Sequence, residues 1–176
     1  LYDGLPYKQA ENNPIKTTVN KREFTEFNAV EWNVFYENTS SENSKILSNI
    51  YDCDVLLDLP EYARPSPALR ITEEAPKIIW MQGCLEGDAY SFNDERSAQE
   101  FAFHTDYLFE NGMQKAYENN KGRSSDQIMP YFEIACSGKG YVAAIGWTGC
   151  WRVEFKREKT RIHMKAGLRC AEFYLK

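Results

Sequence analysis

The feature that most constrains this chain is an alternation of apolar and polar residues with a period of two. It is clearest in two segments near the C-terminus, whose apolar members are Trp151, Val153, Phe155, Ile162, Met164 and Ala166. Successive side chains of a β-strand point to opposite faces, so this period is typical of strands with one buried and one solvated face. The pattern predicts antiparallel strands packed around a shared core.

Further strands are indicated along most of the chain. The segments are Val30–Glu37, Lys45–Leu59, Lys77–Gln82, Pro130–Cys136, Tyr141–Ile145 and Ala171–Leu175. Polar or glycine-containing turns separate several of them, as at 137–140 and 157–160. We expect the long segment 45–59 to bend at 52–54. Consecutive short strands of this kind predict an all-β fold, an antiparallel β-sandwich with few or no helices.

The region from Ser91 to Tyr117 carries a mixed signal. Asn93 is placed to cap a helix that has Ala98, Phe101 and Ala102 on one face. The same stretch also fits irregular structure. Before it, four prolines between positions 60 and 76 exclude a central strand there.

The length and charge limit the domain count and the classes of partner. A chain of 176 residues fits one domain, and we expect residues 1–176 to form it. The net charge is −5 and basic residues are not concentrated, which argues against nucleic acid as a partner. No apolar run is long enough to cross a bilayer, so no membrane partner is expected.

The two ends of the sequence suggest a piece of a longer protein. The opening residues from Leu1 to Gly4 do not match a signal peptide, and the alternation is still running at Lys176. We therefore expect an excised domain, and the compartment of the protein stays open.

The cysteines argue against a metal centre or a disulfide framework. They lie far apart, at Cys53, Cys84, Cys136, Cys150 and Cys170. An odd number without C-x-x-C spacing predicts free thiols, no zinc site and no cofactor. A disulfide between Cys136 and Cys150 stays open, because flanking strands can bring such residues together.

Four residues are candidates for contact with a ligand or with another domain. Trp80 and Trp147 carry flat rings that suit the apolar face of a sugar. Trp147 also follows a glycine at a strand break, where the backbone can approach another surface closely. In the loop 119–127, Arg123 offers a planar fork of donors, with Ser125 beside it. We expect Arg123 and Ser125 to fix the loop or an interdomain contact, with ligand binding as the alternative.

Titratable groups give no clear catalytic pair. Asp52, Asp54 and Asp58 share one strand face, and a polar outer face is the expected explanation. His163 is expected to be solvated, because it alternates with apolar residues. His104 falls in the mixed region, where a structural role is expected and acid–base chemistry on a sugar hydroxyl is the alternative.

Several segments carry a resemblance to a known family. They are AVEWNVFYENT at 29–39, GRSSDQIMPYF at 122–132, GYVAAIGWTGCW at 140–151 and the Ala-Gly pair at 166–167. In this order and spacing they resemble the N-terminal domain of bacterial α-galactosidases (melibiases) of glycoside hydrolase family 36. The likeness runs from about Thr17 to Lys176. The sequence departs from the family pattern at Cys150 and at 168–170.

The resemblance implies a fold for this chain and places catalysis in a separate domain. The fold is a β-supersandwich, similar to that of galactose mutarotase, which precedes a catalytic (β/α)₈ barrel. In such enzymes the nucleophile and the general acid are aspartates of the barrel, so this chain is expected to hold no catalytic residue. The implied function is an accessory domain of a glycoside hydrolase that supports the barrel, shapes its mouth and helps the enzyme to form a homo-oligomer.

Two other functions stay open at this point. One is a free-standing carbohydrate-binding module that uses Trp80 or Trp147. The other is a small sugar-acting enzyme of mutarotase type that uses His104 as acid or base.

Overall fold

The computed structural model describes residues 14–62, 74–84, 102–147 and 149–176. The strands are β1 (Ile15–Phe24), β2 (Ala29–Asn38), β3 (Leu47–Ser48), β4 (Tyr51–Asp58), β5 (Lys77–Gln82), β6 (Phe103–Tyr107), β7 (Gln114–Glu118), β8 (Ile128–Cys136), β9 (Lys139–Ala144), β10 (Trp151–Glu158), β11 (Arg161–Leu168) and β12 (Glu172–Phe173). Within the described ranges, the helical structure is one 3-10 turn at Thr25–Phe27. The predicted all-β class is confirmed.

Two four-stranded antiparallel sheets form the body of the molecule. Sheet I has the order β4-β11-β10-β7, and sheet II has the order β6-β5-β8-β9. Each strand pair in both sheets is antiparallel. The two sheets pack against each other through their apolar faces, so the predicted antiparallel sandwich is confirmed.

The core lies between the two sheets and follows the alternation in the sequence. The alternating residues predicted to face inward on β10 and β11 are buried. Phe132 of sheet II meets Trp151 and Phe155 of sheet I, with ring centroids 5.8 and 5.4 Å apart. Edge-to-face and tilted arrangements at these distances add to the free energy gained from burial alone.

A two-stranded hairpin, β1–β2, is anchored to sheet I. Its ten residue pairs run in register without a shift. The Trp32 Nε1–H donates to the Asp52 carbonyl at 2.8 Å, and the Tyr36 hydroxyl donates to Asp52 Oδ1 at 2.6 Å. Trp32 and Tyr36 lie on one face of β2, whereas Phe35, on the other face, is exposed.

The break in the segment 45–59 differs from the prediction. The chain is continuous strand through 52–54 and instead breaks between β3 and β4, where Asn49 adopts a φ of 53°. Asparagine tolerates this left-handed conformation better than most residues. The pairing of β4 with β11 shifts its register at Asp52, because Ala166 is opposite Cys53 whereas Gly167 is opposite Tyr51. An irregularity therefore occurs within 52–54 as expected, although the strand continues through it.

The mixed region also resolves into strands where it is described. Residues 103–107 and 114–118 are β6 and β7, and Ala102 precedes β6 outside any helix. The predicted helical positions Asn93, Ala98 and Phe101 lie outside the described residues.

The two ends of the sandwich differ. At the turn end, β8 and β9 are joined by Ser137–Gly138, whose φ values of 49° and 71° suit a tight hairpin turn. β10 and β11 are joined there by the short turn at 159–160. At the opposite end, called the loop end, lie the connections 119–127, 145–150 and 169–171. The candidates Arg123, Ser125 and Trp147 lie at the loop end.

Candidate functional site

The loop 119–127 begins with a buried asparagine that organises its first turn. Asn119 is 1% exposed, and its N–H donates to the Trp151 carbonyl at 2.9 Å. Its side chain accepts from the Lys121 N–H at 3.1 Å and donates to the Arg123 carbonyl. An asparagine that bonds to its own following backbone stabilises a turn locally. The loop is therefore held by side-chain bonds as well as by its neighbours.

The second half of the loop is tied to the end of β5. The Cys84 N–H donates to the Ser125 carbonyl at 3.0 Å, and the Gln127 N–H donates to the Cys84 carbonyl at 2.8 Å. Gly83 lies so close that a Cβ there would be 1.9 Å from the Ser125 carbonyl oxygen. Only glycine permits this approach. The backbone that carries Ser125 is fixed by sheet II.

Arg123 extends from the loop toward solvent above a buried acid. Its side chain is 66% exposed, and its Nη2 is 3.7 Å from Asp126 Oδ2. Asp126 is 3% exposed, and its Oδ1 has no hydrogen-bond partner in the described part of the chain. An ion pair this long and this exposed on one side contributes little stability. The guanidinium is therefore available for other contacts.

Trp147 lies in the connection between β9 and β10. Its ring is partly buried and packs against the core cluster. A Cβ at Gly146 or Gly149 would meet no atom within 4 Å. The backbone on both sides of Trp147 is therefore open to a second surface, although much of the ring serves packing. Trp151, four residues on, ties this connection to the loop, because its Nε1–H donates to the Ser124 carbonyl at 2.7 Å.

Trp80 does not join this group. It lies on β5 and stacks on His104 at 4.4 Å, with Tyr117 tilted against it at 5.7 Å. Its Nε1–H donates to Asp106 Oδ2 at 2.9 Å. Among the described residues, its hydrogen bond and ring contacts are with β6 and β7 and not with the loop 119–127. The structure thus gathers three of the four predicted residues at one end and places Trp80 in a separate cluster.

Asp106 is the centre of that cluster. It accepts hydrogen bonds from Trp80 and Tyr117, and Lys115 Nζ lies 2.7 Å from its Oδ1. Burial by itself would raise the pKa of Asp106, but the bonds from Lys115, Tyr117 and Trp80 outweigh it and lower the pKa. Burial, followed by the bond to Asp106, raises the pKa of Tyr117 far above its usual range. At neutral pH Asp106 is therefore ionised and Tyr117 is protonated. Neither group changes its protonation state near that pH, so the pair serves the structure and not acid–base chemistry.

His104 has an amide as its recorded polar partner. Its Nε2 lies 3.2 Å from Gln82 Oε1, and its ring is stacked on Trp80. Within the described residues no carboxylate bonds to it. The arrangement does not supply the histidine–carboxylate pair that a mutarotase-type reaction requires.

A histidine–carboxylate pair does occur elsewhere, on the outer face of sheet I. His163 Nε2 bonds to Asp54 Oδ1, and Lys165 Nζ lies 3.3 Å from Asp54 Oδ2. Burial would raise the pKa of Asp54, and the bonds from His163 and Lys165 outweigh it and lower the pKa. His163 lies on the outer face with Lys165, as expected, but its side chain is 23% exposed and paired with Asp54 rather than simply solvated. The missed signal is the register, which places Lys165 directly opposite Asp54.

The cysteines are all free thiols. Cys136 lies at the turn end, where its Sγ contacts the carbonyls of Pro60 and Glu74, whereas Cys150 precedes β10 at the loop end. The pairing left open between them does not form, because the two residues lie at opposite ends of the sandwich. Burial raises the pKa of Cys53 to about 12, so this thiol is inert at neutral pH.

In the described residues, no group of three or more histidine, cysteine or acidic side chains has the arrangement of a metal site. None of the helices described is long and apolar enough to span a bilayer.

Comparisons with known proteins give matches at the level of structure. No protein-family model matches the sequence, and no curated protein matches it. The folded chain is similar to the family 36 α-galactosidase AgaA of Geobacillus stearothermophilus, with 14% identity, a TM-score of 0.65 and 92% of this chain covered. It is also similar to AgaB of the same organism, with 13% identity, a TM-score of 0.66 and 93% coverage. A double variant of AgaA in complex with stachyose gives 14% identity, a TM-score of 0.64 and 92% coverage.

The match spans nearly the whole of this chain but only 20% of each of these enzymes. The resemblance to family 36 α-galactosidases found in the sequence is therefore confirmed as a likeness of fold. At this level of identity the likeness concerns the fold alone.

Proposed function

We propose that residues 1–176 form a non-catalytic β-sandwich domain of an α-galactosidase-like glycoside hydrolase and support its catalytic barrel. The observation that carries the proposal is the structural match, which covers 92% of this chain and 20% of AgaA. A domain that accounts for a fifth of such an enzyme leaves the chemistry to the remainder. Galactosides are the substrate class that the neighbours' names support for the whole protein.

The state of the carboxylates supports a non-catalytic role. A glycosidase needs one protonated and one ionised carboxyl group across a sugar-sized gap. Asp54 and Asp106 have lowered pKa values and are held by cations and hydrogen-bond donors. Burial raises the pKa of Asp52, but its Oδ1 accepts a hydrogen bond from the Tyr36 hydroxyl, which ties this carboxyl group to the β1–β2 hairpin. A depression of about 460 Å³ exists on the outer face of sheet II near the turn end, lined in part by Lys77, Glu133 and Val142. None of the four candidate residues lines it.

The loop end is the part of the domain that suits contact with the barrel. Arg123 is an exposed guanidinium on a backbone that sheet II holds in place. Ser125 and Trp147 lie on connections at the same end. Rigid loops with exposed donors are typical of positions where a scaffold meets another surface. We assign the interdomain contact to Arg123, Ser125 and Trp147.

A carbohydrate-binding module is the second candidate function. The structure favours Trp147 over Trp80 as its sugar-stacking residue. Sugar stacking needs a free aromatic face. Trp80 has His104 on one side and Tyr117 against it, so its ring is largely in use. Trp147 is the candidate that retains open backbone on both sides. A module of this kind predicts saturable binding of stachyose by calorimetry that is lost in Trp147→Ala.

The proposal is tested on the longer protein encoded by the reading frame that contains this chain. We expect that frame to encode a (β/α)₈ barrel after residue 176, with aspartates at strand ends. In that protein, Arg123→Ala and Trp147→Ala should lower the melting temperature and the hydrolysis of a nitrophenyl α-galactoside. Arg161→Ala, at the turn end, is the matched control and should change neither.

A reading frame without a barrel would overturn the proposal. Equal effects of Arg123→Ala and Arg161→Ala would leave the support role in place but remove the loop end as the contact.

A further inference from the structure

The outer edge of sheet II is unpaired in the described chain. β9 is the last strand of that sheet and pairs with β8 on one side only. The Ile145 N–H donates to the Pro130 carbonyl at 2.9 Å, which fixes the phase of the ladder. Because bonded and non-bonded pairs alternate along an antiparallel ladder, Tyr141 and Ala143 direct their backbone groups to β8. The intervening residues Gly140, Val142 and Ala144 direct theirs to the open edge.

This edge carries less protection than the other edges, since its single charged residue, Lys139, stands at the first position of β9. A charged residue, a proline or a bulge normally prevents an edge strand from pairing with another chain. The other terminal strands of the two sheets bear charged or titratable side chains, namely Asp52, Asp54 and Asp58 on β4, His104 and Asp106 on β6, and Lys115 and Glu118 on β7. β9 reads Lys-Gly-Tyr-Val-Ala-Ala, pairs with β8 without a register shift and contains no proline.

Val142 at the centre of β9 is the other unusual feature. It is 82% exposed on the outer face of sheet II, which makes it the most exposed of the large apolar side chains in the described residues. Its neighbours on the same face and strand are Gly140 and Ala144, which leave space on either side. A β-branched residue of this kind gains free energy when another β-branched residue lies directly opposite on a neighbouring strand.

We propose that β9 pairs with β9 of a second copy of this chain, antiparallel and centred on Val142. In this register Val142 faces Val142 of the second copy, and Gly140 faces Ala144. The three residues whose backbone groups point outward then form the hydrogen-bonded pairs, so each pair exchanges two bonds. The symmetry is that of a closed two-fold dimer, in which one surface matches itself.

The charges agree with this register. Lys139 is the one charged residue of β9, and it faces Ile145 of the second copy rather than another lysine. Like charges directly opposite each other would weaken the pairing. The dimer turns the two copies of sheet II into one continuous eight-stranded sheet, and it places the exposed Val142 of each copy beside that of the other.

The test uses the 176-residue chain in light scattering coupled to size exclusion, over a range of concentrations. We expect a mass twice the chain mass of 20.4 kDa. Val142→Lys places two like charges on the two-fold axis and should give monomers. Val142→Pro should also give monomers, because the N–H that it removes points to the open edge and not to β8. Val142→Thr keeps the β-branched shape and is the matched control that should remain dimeric.

A charge swap tests the register itself. Val142→Glu alone should be monomeric, and a mixture of Val142→Glu with Val142→Lys should restore a dimer that contains one copy of each. Circular dichroism checks that each variant keeps the strand content of the parent. A parent chain that stays monomeric at high concentration, or a dimer that persists in Val142→Lys and Val142→Pro, would overturn the proposal. The outcome does not depend on the glycoside hydrolase proposal, since it concerns only the mass of the isolated chain.

Discussion

The outer faces of the two sheets differ, although the same alternation builds both. On sheet I, outward side chains pair across strands: the Tyr51 hydroxyl donates to Glu154 at 2.9 Å, and Lys165 lies 3.3 Å from Asp54. On sheet II, apolar side chains remain uncovered, with Phe103 74% and Val142 82% exposed.

The difference between the two outer faces shows which positions the fold constrains and which it leaves free. Inward positions must be apolar in both sheets, because they share one core. Outward positions are free to vary, and the paired charges of sheet I give a face that is satisfied in water. On sheet II the two most exposed apolar side chains lie on its two edge strands, Phe103 on β6 and Val142 on β9. The comparison is what the proposed pairing of β9 would explain, because that pairing uses sheet II and leaves sheet I in water.

The largest expected effect tests whether the inner faces are truly equivalent. Phe132→Ala in sheet II and Phe155→Ala in sheet I each remove a ring that is at most 2% exposed. Each should lower the free energy of unfolding by about 3–5 kcal/mol. Urea denaturation followed by circular dichroism measures it.

The outward neighbours Tyr131 and Lys156 serve as controls for that pair. Their alanine variants should stay within about 0.5 kcal/mol of the parent. A small loss for one phenylalanine and a large loss for the other would show that the two sheets do not share one core.

A smaller effect is expected where sheet II holds the loop end. In Gly83→Ala the new methyl group would collide with the Ser125 carbonyl, so β5 and the loop must separate. We expect a loss of about 1–3 kcal/mol, the usual cost of overpacking. Gly146→Ala, at the same end but with open space around it, is the control and should be close to neutral. Equal effects of the two changes would contradict the anchoring of the loop.

The smallest effect concerns the charges of sheet I. The lowered pKa of Asp54 means that its ionised form stabilises the fold above the unfolded value of about 4, and that this stability is lost as the pH falls through the lower folded value. Asp54→Asn should thus be less stable than the parent at pH 7, by less than about 1 kcal/mol because the side chain is 38% exposed. The gap should shrink below pH 4 in thermal unfolding experiments.

Asp58→Asn is the matched control on the same strand. Asp58 is exposed and has no ion pair among the described residues. A gap between Asp54→Asn and the parent that stays constant from pH 7 to pH 3 would contradict the assigned role of the ion pair.

The sequence predicts the strands better than their partners. Trp151, Val153 and Phe155 are buried as their alternation indicates, because period two is a local property of one strand. The bond between His163 and Asp54 depends on how β11 is aligned with β4, and a single sequence does not contain that alignment. For the same reason the sequence does not show that the ring of Trp80 is occupied, since its stacking partner His104 lies on a neighbouring strand.

The break at Asn49 is a different case, since a local signal was present. Asparagine is the residue that most readily takes a positive φ after glycine, and Asn49 adopts this conformation. Of the candidate site, the grouping of Arg123, Ser125 and Trp147 at one end follows from the strand order. The contact that they make remains a prediction.

The central claim is that this domain supports chemistry that occurs elsewhere. The most direct measurement is the turnover of a nitrophenyl α-galactoside, and the mutarotation of galactose, by the purified 176-residue chain beside an active α-galactosidase. The account predicts no rate above the blank in either assay. A rate that exceeds the blank and disappears in Asp54→Asn or His104→Ala would contradict it.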